Sequence, residues 1–220
     1  MKRSRLFICL GRRLLVNFFE SNSQVSHMKV KETAVKYRTT KKPFTYQDYL
    51  QLPDDGKRYE VINGELIMAP SPITIHQMIN MSLSARLFNY VKENELGTIL
   101  TAPMDVVLSE TNVYQPDIIF ISKERKEIIT EKNISGAPDL VIEILSPSTA
   151  YYDLFDKKEQ YEKFGVKEYW IVDPMRQWIE VYQLKEGKFN LVQKLQKQGK
   201  LRSELLKGLT IDLQEIFKEH

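Results

Sequence analysis

The run Ala137–Ser148 sets one carboxylate, Glu143, in the middle of the apolar strand-like segment Leu140–Leu145. An ionised carboxylate left alone in a strand core costs several kcal/mol even after relaxation. A chain that folds around it must therefore supply a cation, a strong set of hydrogen bonds or a metal. A similar segment, Gln115–Ile121, lies upstream, and a helix-like run carrying Asp153, Lys157 and Tyr161 lies downstream. Along the strand Val141, Glu143 and Leu145 share one face, while Ile142 and Ile144 share the other.

Elements can be placed around that strand. Thr45–Asp48 reads as a capping box opening a short helix that stops at Leu52–Gly56. Tyr59–Ile62, Asn63-Gly64 and Glu65–Met68 form a β-hairpin signal. Ile79, Leu83, Leu87 and Val91 recur at helical spacing within a long helix from Ile75 to Glu95, ended by Gly97. Thr98–Leu108, Asp117–Ile121 and Asp139–Leu145 read as three strands, with the charged Ser122–Ser135 segment as a loop or short helix. Ser146–Thr149 supplies turn and cap chemistry for a helix running to Phe164, which Gly165 terminates. Glu168–Val172, Trp178–Leu184 and Phe189–Leu195 are further strands, and Leu213–Phe217 is a closing helical turn. The expected fold is α/β with a mixed central sheet, in the order helix, three strands, helix, strand.

Composition narrows the chemistry. With 220 residues and 42% hydrophobic content, the chain can bury one sizeable core. Cys9 is the only cysteine and the three histidines are scattered, so disulfide frameworks and Cys or His metal sites are excluded. Any metal would be held by oxygen, and a reducing, cytoplasmic setting is the expectation. Residues 1–42 hold eleven Lys and Arg against Glu20 and Glu32, a net of +9, which leaves 43–220 at −6 of the overall +3. The globular part is therefore no general polyanion-binding surface, and nucleic acid would need a local patch or a metal. The apolar stretches near the front, Leu6–Leu10 and Leu14–Val16, fall short of the ~18 residues of a membrane span. Residues 1–42 are read as a basic, disordered extension, with Met28 as an alternative start, and 43–217 as the domain.

If the two strands pair, Asp117 reaches the side of Glu143, and two acids there could hold Mg²⁺ through oxygen ligands. Asp153, Lys157 and Tyr161 line one helix face, so an ammonium can join them. A protonated lysine is a donor and charge stabiliser before it is a base. Asp139 also follows a proline and shares the face of Glu143, but at i, i+4 it stands about 13 Å away, too far for one ion. Ser146 and Ser148 lack a nucleophile elbow. Trp170 and Trp178 alternate with aliphatic residues and read as core. Paired acids also serve glycosidases, against which the nearby lysine and the missing aromatic cleft count.

Together, Tyr59-Glu60, Asn63-Gly64, His76-Gln77, Gln115–Asp117, Pro138–Glu143, Ser146–Ser148, Asp153 with Lys157 and Tyr161, and Gly165–Pro174 resemble the Uma-two-type restriction endonuclease family of the PD-(D/E)XK nuclease superfamily. The resemblance covers roughly 43–217 and implies a restriction-endonuclease-like αβββαβ core with an N-terminal β-hairpin. It implies Asp117 and Glu143 as Mg²⁺ ligands, with Mn²⁺ as a substitute, and Lys157 as the catalytic lysine. The superfamily lysine is expected two residues after Glu143, where Leu145 stands. Lys157 on the following helix is the matching position, Lys158 a less favoured one, and Glu60 and His76 are auxiliary candidates. The implied function is metal-dependent hydrolysis of DNA phosphodiester bonds, without membrane involvement, and a homodimer would let both strands be reached. The alternative is a catalytically degenerate nuclease fold acting as a nucleic-acid-binding or interaction module.

Overall fold

The computed structural model describes Val35–Tyr37, residues 42–146 and residues 152–218. Strand β1 (Val35–Tyr37) is followed by the short helix α1 (Tyr46–Tyr49), whose capping box is closed by Thr45 and Asp48. Strands β2 (Arg58–Ile62) and β3 (Glu65–Ala69) then form a hairpin. Asn63 and Gly64 turn it with φ of 52° and 75°, as a tight two-residue turn requires. An added Cβ at Gly64 would also lie 2.6 Å from the Pro43 side chain. Helix α2 (Thr74–Glu93) buries Ile79, Leu83, Leu87 and Val91, the stripe read from the sequence.

Strands β4 (Gly97–Thr101), β5 (Val106–Ser109), β6 (Asn112–Tyr114) and β7 (Ile118–Ser122) follow. A 3₁₀ turn at Lys123–Ile128 leads to β8 (Ile134–Ser135) and β9 (Leu140–Ile144). A π-helical turn at Tyr152–Asp156 passes into α3 (Lys157–Phe164), which ends at Gly165 with φ 84°. Strands β10 (Glu168–Asp173), β11 (Trp178–Lys185), β12 (Lys188–Gln196), β13 (Lys200–Arg202) and β14 (Thr210–Asp212) precede the closing turn α4 (Leu213–Ile216). No helix among the described residues is long and apolar enough to cross a membrane.

The central sheet has the order β12-β11-β10-β9-β7-β4. It is mixed, because β9 and β10 run parallel while its other pairs are antiparallel. Taken as α2, β4, β7, β9, α3 and β10, it carries the αβββαβ succession. One face packs on α2 through Ile118, Phe120, Ile142, Ile144, Trp170 and Val172. The other packs on a second sheet, β1-β3-β2-β6-β5-β8, through Ile119, Val141, Tyr169 and Ile171 against Ile62, Ile67, Val106 and Tyr114. The N-terminal segment around Phe44, Tyr46 and Tyr49 covers the outside of that second sheet.

Two details depart from expectation. Thr98–Leu108 is two strands, because the Ala102-Pro103 step interrupts pairing where proline has no N–H to give. Strand β4 stays at the edge of the central sheet, while β5 pairs with β6 and β8 in the second sheet. The expected cap at Ser146–Thr149 falls mostly outside the described residues. So does most of the expected extension over 1–42, apart from Val35–Tyr37, which pair with β3, and the start of the segment at residue 42.

Candidate active site

The register between β7 and β9 places Ile118 opposite Ile142 and Ile119 opposite Val141, which sets Asp117 across from Glu143. Residues directly opposite each other in an antiparallel pair project to the same face. Both acids therefore point toward the second sheet and α3. Asp117 Oδ2 accepts the Ile144 N–H at 2.8 Å, tying this acid to the strand that carries the other. His76, buried in the first turn of α2, places Nε2 3.1 Å from the same oxygen. Since a carboxylate only accepts, Nε2 carries the proton.

Lys157 stands where three elements meet. Its Nζ lies 3.0 Å from Glu60 Oε1, 3.2 Å from Glu143 Oε1 and 3.1 Å from Asp153 Oδ1. Glu60 reaches it because Arg58, Glu60 and Ile62 share the inward face of β2. The Gln115 N–H donates to Glu60 Oε1 at 2.8 Å, and Arg58 in turn donates to the Gln115 side chain and carbonyl, each at 3.1 Å. Tyr161, one turn beyond Lys157, donates its hydroxyl to Glu143 Oε1 at 2.8 Å from within a cluster of buried tyrosines. All four acids and the lysine are buried.

Four buried carboxylates, three of them on the one ammonium, leave an excess of negative charge out of water. Burial raises the Glu143 pKa well above its ordinary value; Lys157 opposes this, and Asp153, Asp117 and Glu60 add to it. Burial likewise raises Asp153. Burial works to lower Lys157, but Asp153, Glu143 and Glu60 prevail and hold its pKa well above the usual lysine value. Lys157 is therefore an ammonium at neutral pH, a donor and not a base.

The donor set fits a hard divalent cation. Asp117 spends Oδ2 and Glu143 spends Oε1 on protein partners, which leaves Asp117 Oδ1 and Glu143 Oε2 without one among the described residues. No group of three or more His, Cys, Asp or Glu side chains among the described residues forms a metal cage unaided. Two carboxylates are what Mg²⁺ commonly takes, completing its shell with water and substrate oxygens. Arg58, Glu60, His76, Asp117, Glu143 and Lys157 all line one narrow cleft of about 40 Å³, with Pro70, Pro72 and Ser146 at its walls.

The rival residues go elsewhere. Asp139 is fully buried, but it accepts the Ser122 N–H at 2.8 Å and pairs with Lys167 at 2.7 Å and Arg125 at 3.2 Å. Against the pull of burial, those partners hold its pKa below the ordinary value. Lys158 turns away and sets its Nζ 3.4 Å over the Tyr182 ring. Leu145 packs in the apolar cluster between the sheets, so the ammonium at this site comes from α3. Ser148 lies outside the described residues. Trp170 is buried and donates its indole N–H to Glu168. Sequence reasoning passed over Arg58 and gave Gln115 no role of its own, whereas the i, i+4 spacing of Asp153 and Lys157 anticipated their contact. The only signal for Gln115 was the Gln115–Asp117 motif, and Arg58 had none.

The chain is similar to an "Uncharacterized protein" of Synechocystis sp., with 27% identity over 147 residues, spanning 66% of this chain and 82% of the relative. Its fold is similar to a crystal structure described as "a putative nuclease belonging to DUF820 from Anabaena variabilis". The TM-score is 0.67 at 22% identity, covering 80% of this chain and 98% of the other. The family model Uma2, described as "Putative restriction endonuclease", matches residues 46–214, and the chain belongs to that family.

Proposed function

We propose that this protein is a metal-dependent endonuclease that hydrolyses phosphodiester bonds of DNA, with Asp117 and Glu143 as ligands of Mg²⁺ or Mn²⁺ and Lys157 as the catalytic lysine. The observation that carries the reading is the meeting of Asp117, Glu143 and Lys157 in one cleft from three elements distant in sequence. The ion, when bound, polarises the scissile phosphate and makes water a better nucleophile. The residues of the chain do the rest. Lys157, steered by Glu60 and Asp153, presents an ammonium where negative charge grows on the phosphate oxygens. Tyr161 orients Glu143, and His76 with the Ile144 N–H fixes Asp117. Burial and like charges raise the pKa of Glu143, so a cation held there would favour its carboxylate form.

A second reading, a degenerate nuclease fold that only binds, draws on the narrowness of the cleft and on the engagement of the Lys157 ammonium by three carboxylates. One experiment separates the two. Purified protein is incubated with plasmid, single-stranded DNA and RNA in Mg²⁺, Mn²⁺ or EDTA, beside Asp117→Asn and Glu143→Gln. Metal-dependent DNA cleavage lost in both variants is the expected result. Equal cleavage by all three proteins would sink the site, and no cleavage of any substrate would favour the binding module.

A further inference from the structure

A furrow runs along α2 and the edge strand β4, away from the acidic cleft. It consists of two adjoining hollows of about 650 and 560 Å³, which share Phe88 and Ile99 as their common wall. The nearer hollow also shares Arg58, Pro72 and Asp117 with the cleft, so furrow and cleft are continuous. Between Gln77 and Lys92 the helix rises roughly 22 Å, enough for a few nucleotides.

Its chemistry changes along that length. Next to the cleft, Arg58 offers a guanidinium, and Gln77, Asn80 and Ser84 offer neutral polar groups. In the middle Met81 and Phe88 lie open to solvent, 71% and 51% exposed, and neither is needed to fill the core. At the far end Lys92, Lys123 and Lys126 line the hollow together with Glu95, which pairs loosely with Lys123 at 3.9 Å. Lys92 Nζ also stands 5.8 Å from the Phe88 ring centroid, placing a cation beside an aromatic face. Four cations thus line the furrow against Glu95 and Asp117, in a domain whose residues 43–220 carry a net −6.

We infer that this furrow holds the single-stranded flank of a DNA substrate, with bases stacked on Phe88 and Met81 and phosphates drawn to Arg58 and the three lysines. The inference rests on the nuclease reading for the identity of the polymer. An exposed apolar middle with cations at both ends suits an unpaired strand, whose bases are free to stack without regard to sequence. Duplex DNA keeps its bases paired and presents mainly phosphates, which call for a broad net-positive face, whereas residues 43–220 carry a net −6.

The test measures anisotropy of a fluorescein-labelled single-stranded deoxyoligonucleotide in EDTA, beside its duplex and its RNA counterpart, using the full chain. Expected are tighter binding of single-stranded DNA than of the other two, and a roughly five- to tenfold weaker affinity for Phe88→Ala. A combined Lys92→Ala, Lys123→Ala and Lys126→Ala variant should bind with a shallower salt dependence. Hydrolysis of bis(p-nitrophenyl) phosphate in Mn²⁺ should be unchanged in Phe88→Ala and lost in Glu143→Gln, while Glu143→Gln still binds the oligonucleotide in EDTA. Wild-type affinity in Phe88→Ala, or a preference for duplex or RNA, would overturn the inference. So would a change in oligomeric state of Phe88→Ala with unaltered binding, which would make the furrow a contact between copies. If no hydrolysis occurs but Phe88→Ala still weakens binding, the furrow stands and the catalytic reading fails.

Discussion

Asp117 is bound to the strand that carries Glu143: its Oδ2 accepts the backbone N–H of Ile144 at 2.8 Å. This bond, with the cross-strand register beneath it, fixes the spacing of the two acids through backbone and leaves little to side-chain freedom. The opposite oxygen of each acid has no protein hydrogen-bond partner among the described residues. Consequences for stability, metal binding and activity follow from that arrangement.

Metal-free protein should become more stable as the pH falls toward the ordinary carboxylate range. Glu143 and Asp153 have folded pKa values raised chiefly by burial, from 4.5 and 3.8. Their stabilising contribution is complete below those unfolded values and is lost as the pH rises through the folded ones. Lys157, raised well above 10.5, stays charged throughout this window. Asp139 and Glu162, whose values are lowered, act only at more acidic pH. Thermal melts across pH check this, and Glu143→Gln should flatten the slope. Added Mg²⁺ should raise the Tm more at the alkaline end, where the proton has already left.

Removing the ammonium should be costly. Lys157→Met leaves Glu60, Glu143 and Asp153 buried together without their shared cation, and a loss of about 3–5 kcal/mol is expected at neutral pH. Urea unfolding should show that loss shrinking toward pH 5 as the carboxylates protonate. A loss independent of pH would mean that packing, rather than charge, holds the lysine in place.

On the proposed reading, His76 positions Asp117, whose Oδ2 it contacts at 3.1 Å. His76→Ala should weaken Mn²⁺ binding roughly 10- to 100-fold while leaving the far-UV spectrum intact. Titration calorimetry gives the affinity, and activity should recover at high metal concentration. Failure to recover would place His76 in direct contact with the reacting groups.

Glu168 provides the contrast of a buried acid without a site. It accepts from Trp170 Nε1, Ser203 Oγ and the N–H groups of Glu204 and Leu205, all within 3.0 Å. Burial raises its pKa, as it does that of Glu143, yet its partners account for both oxygens. Glu168→Ala should cost about 3 kcal/mol in denaturant melts. Cleavage measured well below the Tm should be unaffected.

Local features of the fold were legible in the chain because short-range chemistry dictates them. Asn63-Gly64 can only turn a hairpin tightly, Thr45 and Asp48 can close a capping box, and Ile79, Leu83, Leu87 and Val91 can only line one side of a helix. The anomaly of Glu143 likewise announced that a partner must exist. Its identity was another matter. Asp117 and Asp139 both follow a proline in the sequence, and only the register of β7 on β9 brings the first to Glu143 and sends the second to Lys167 and Arg125. A slip of one residue would have reversed every face. The hairpin that carries Glu60 was legible from Asn63-Gly64, but its membership of a second sheet was not, since β6 and β8 are short and β2 joins β6, and β5 joins β8, across distant parts of the chain.

The choice of Lys157 over its neighbour Lys158 depended on how α3 lies against the sheets, which turns one lysine to the acids and the other to Tyr182. By itself the sequence determined that a buried acid, a hairpin and a long amphipathic helix would be present, because propensity and periodicity act over a few residues. Only the tertiary structure decided which acids and which lysine meet, because strand register and helix rotation are settled by packing between segments far apart in the chain.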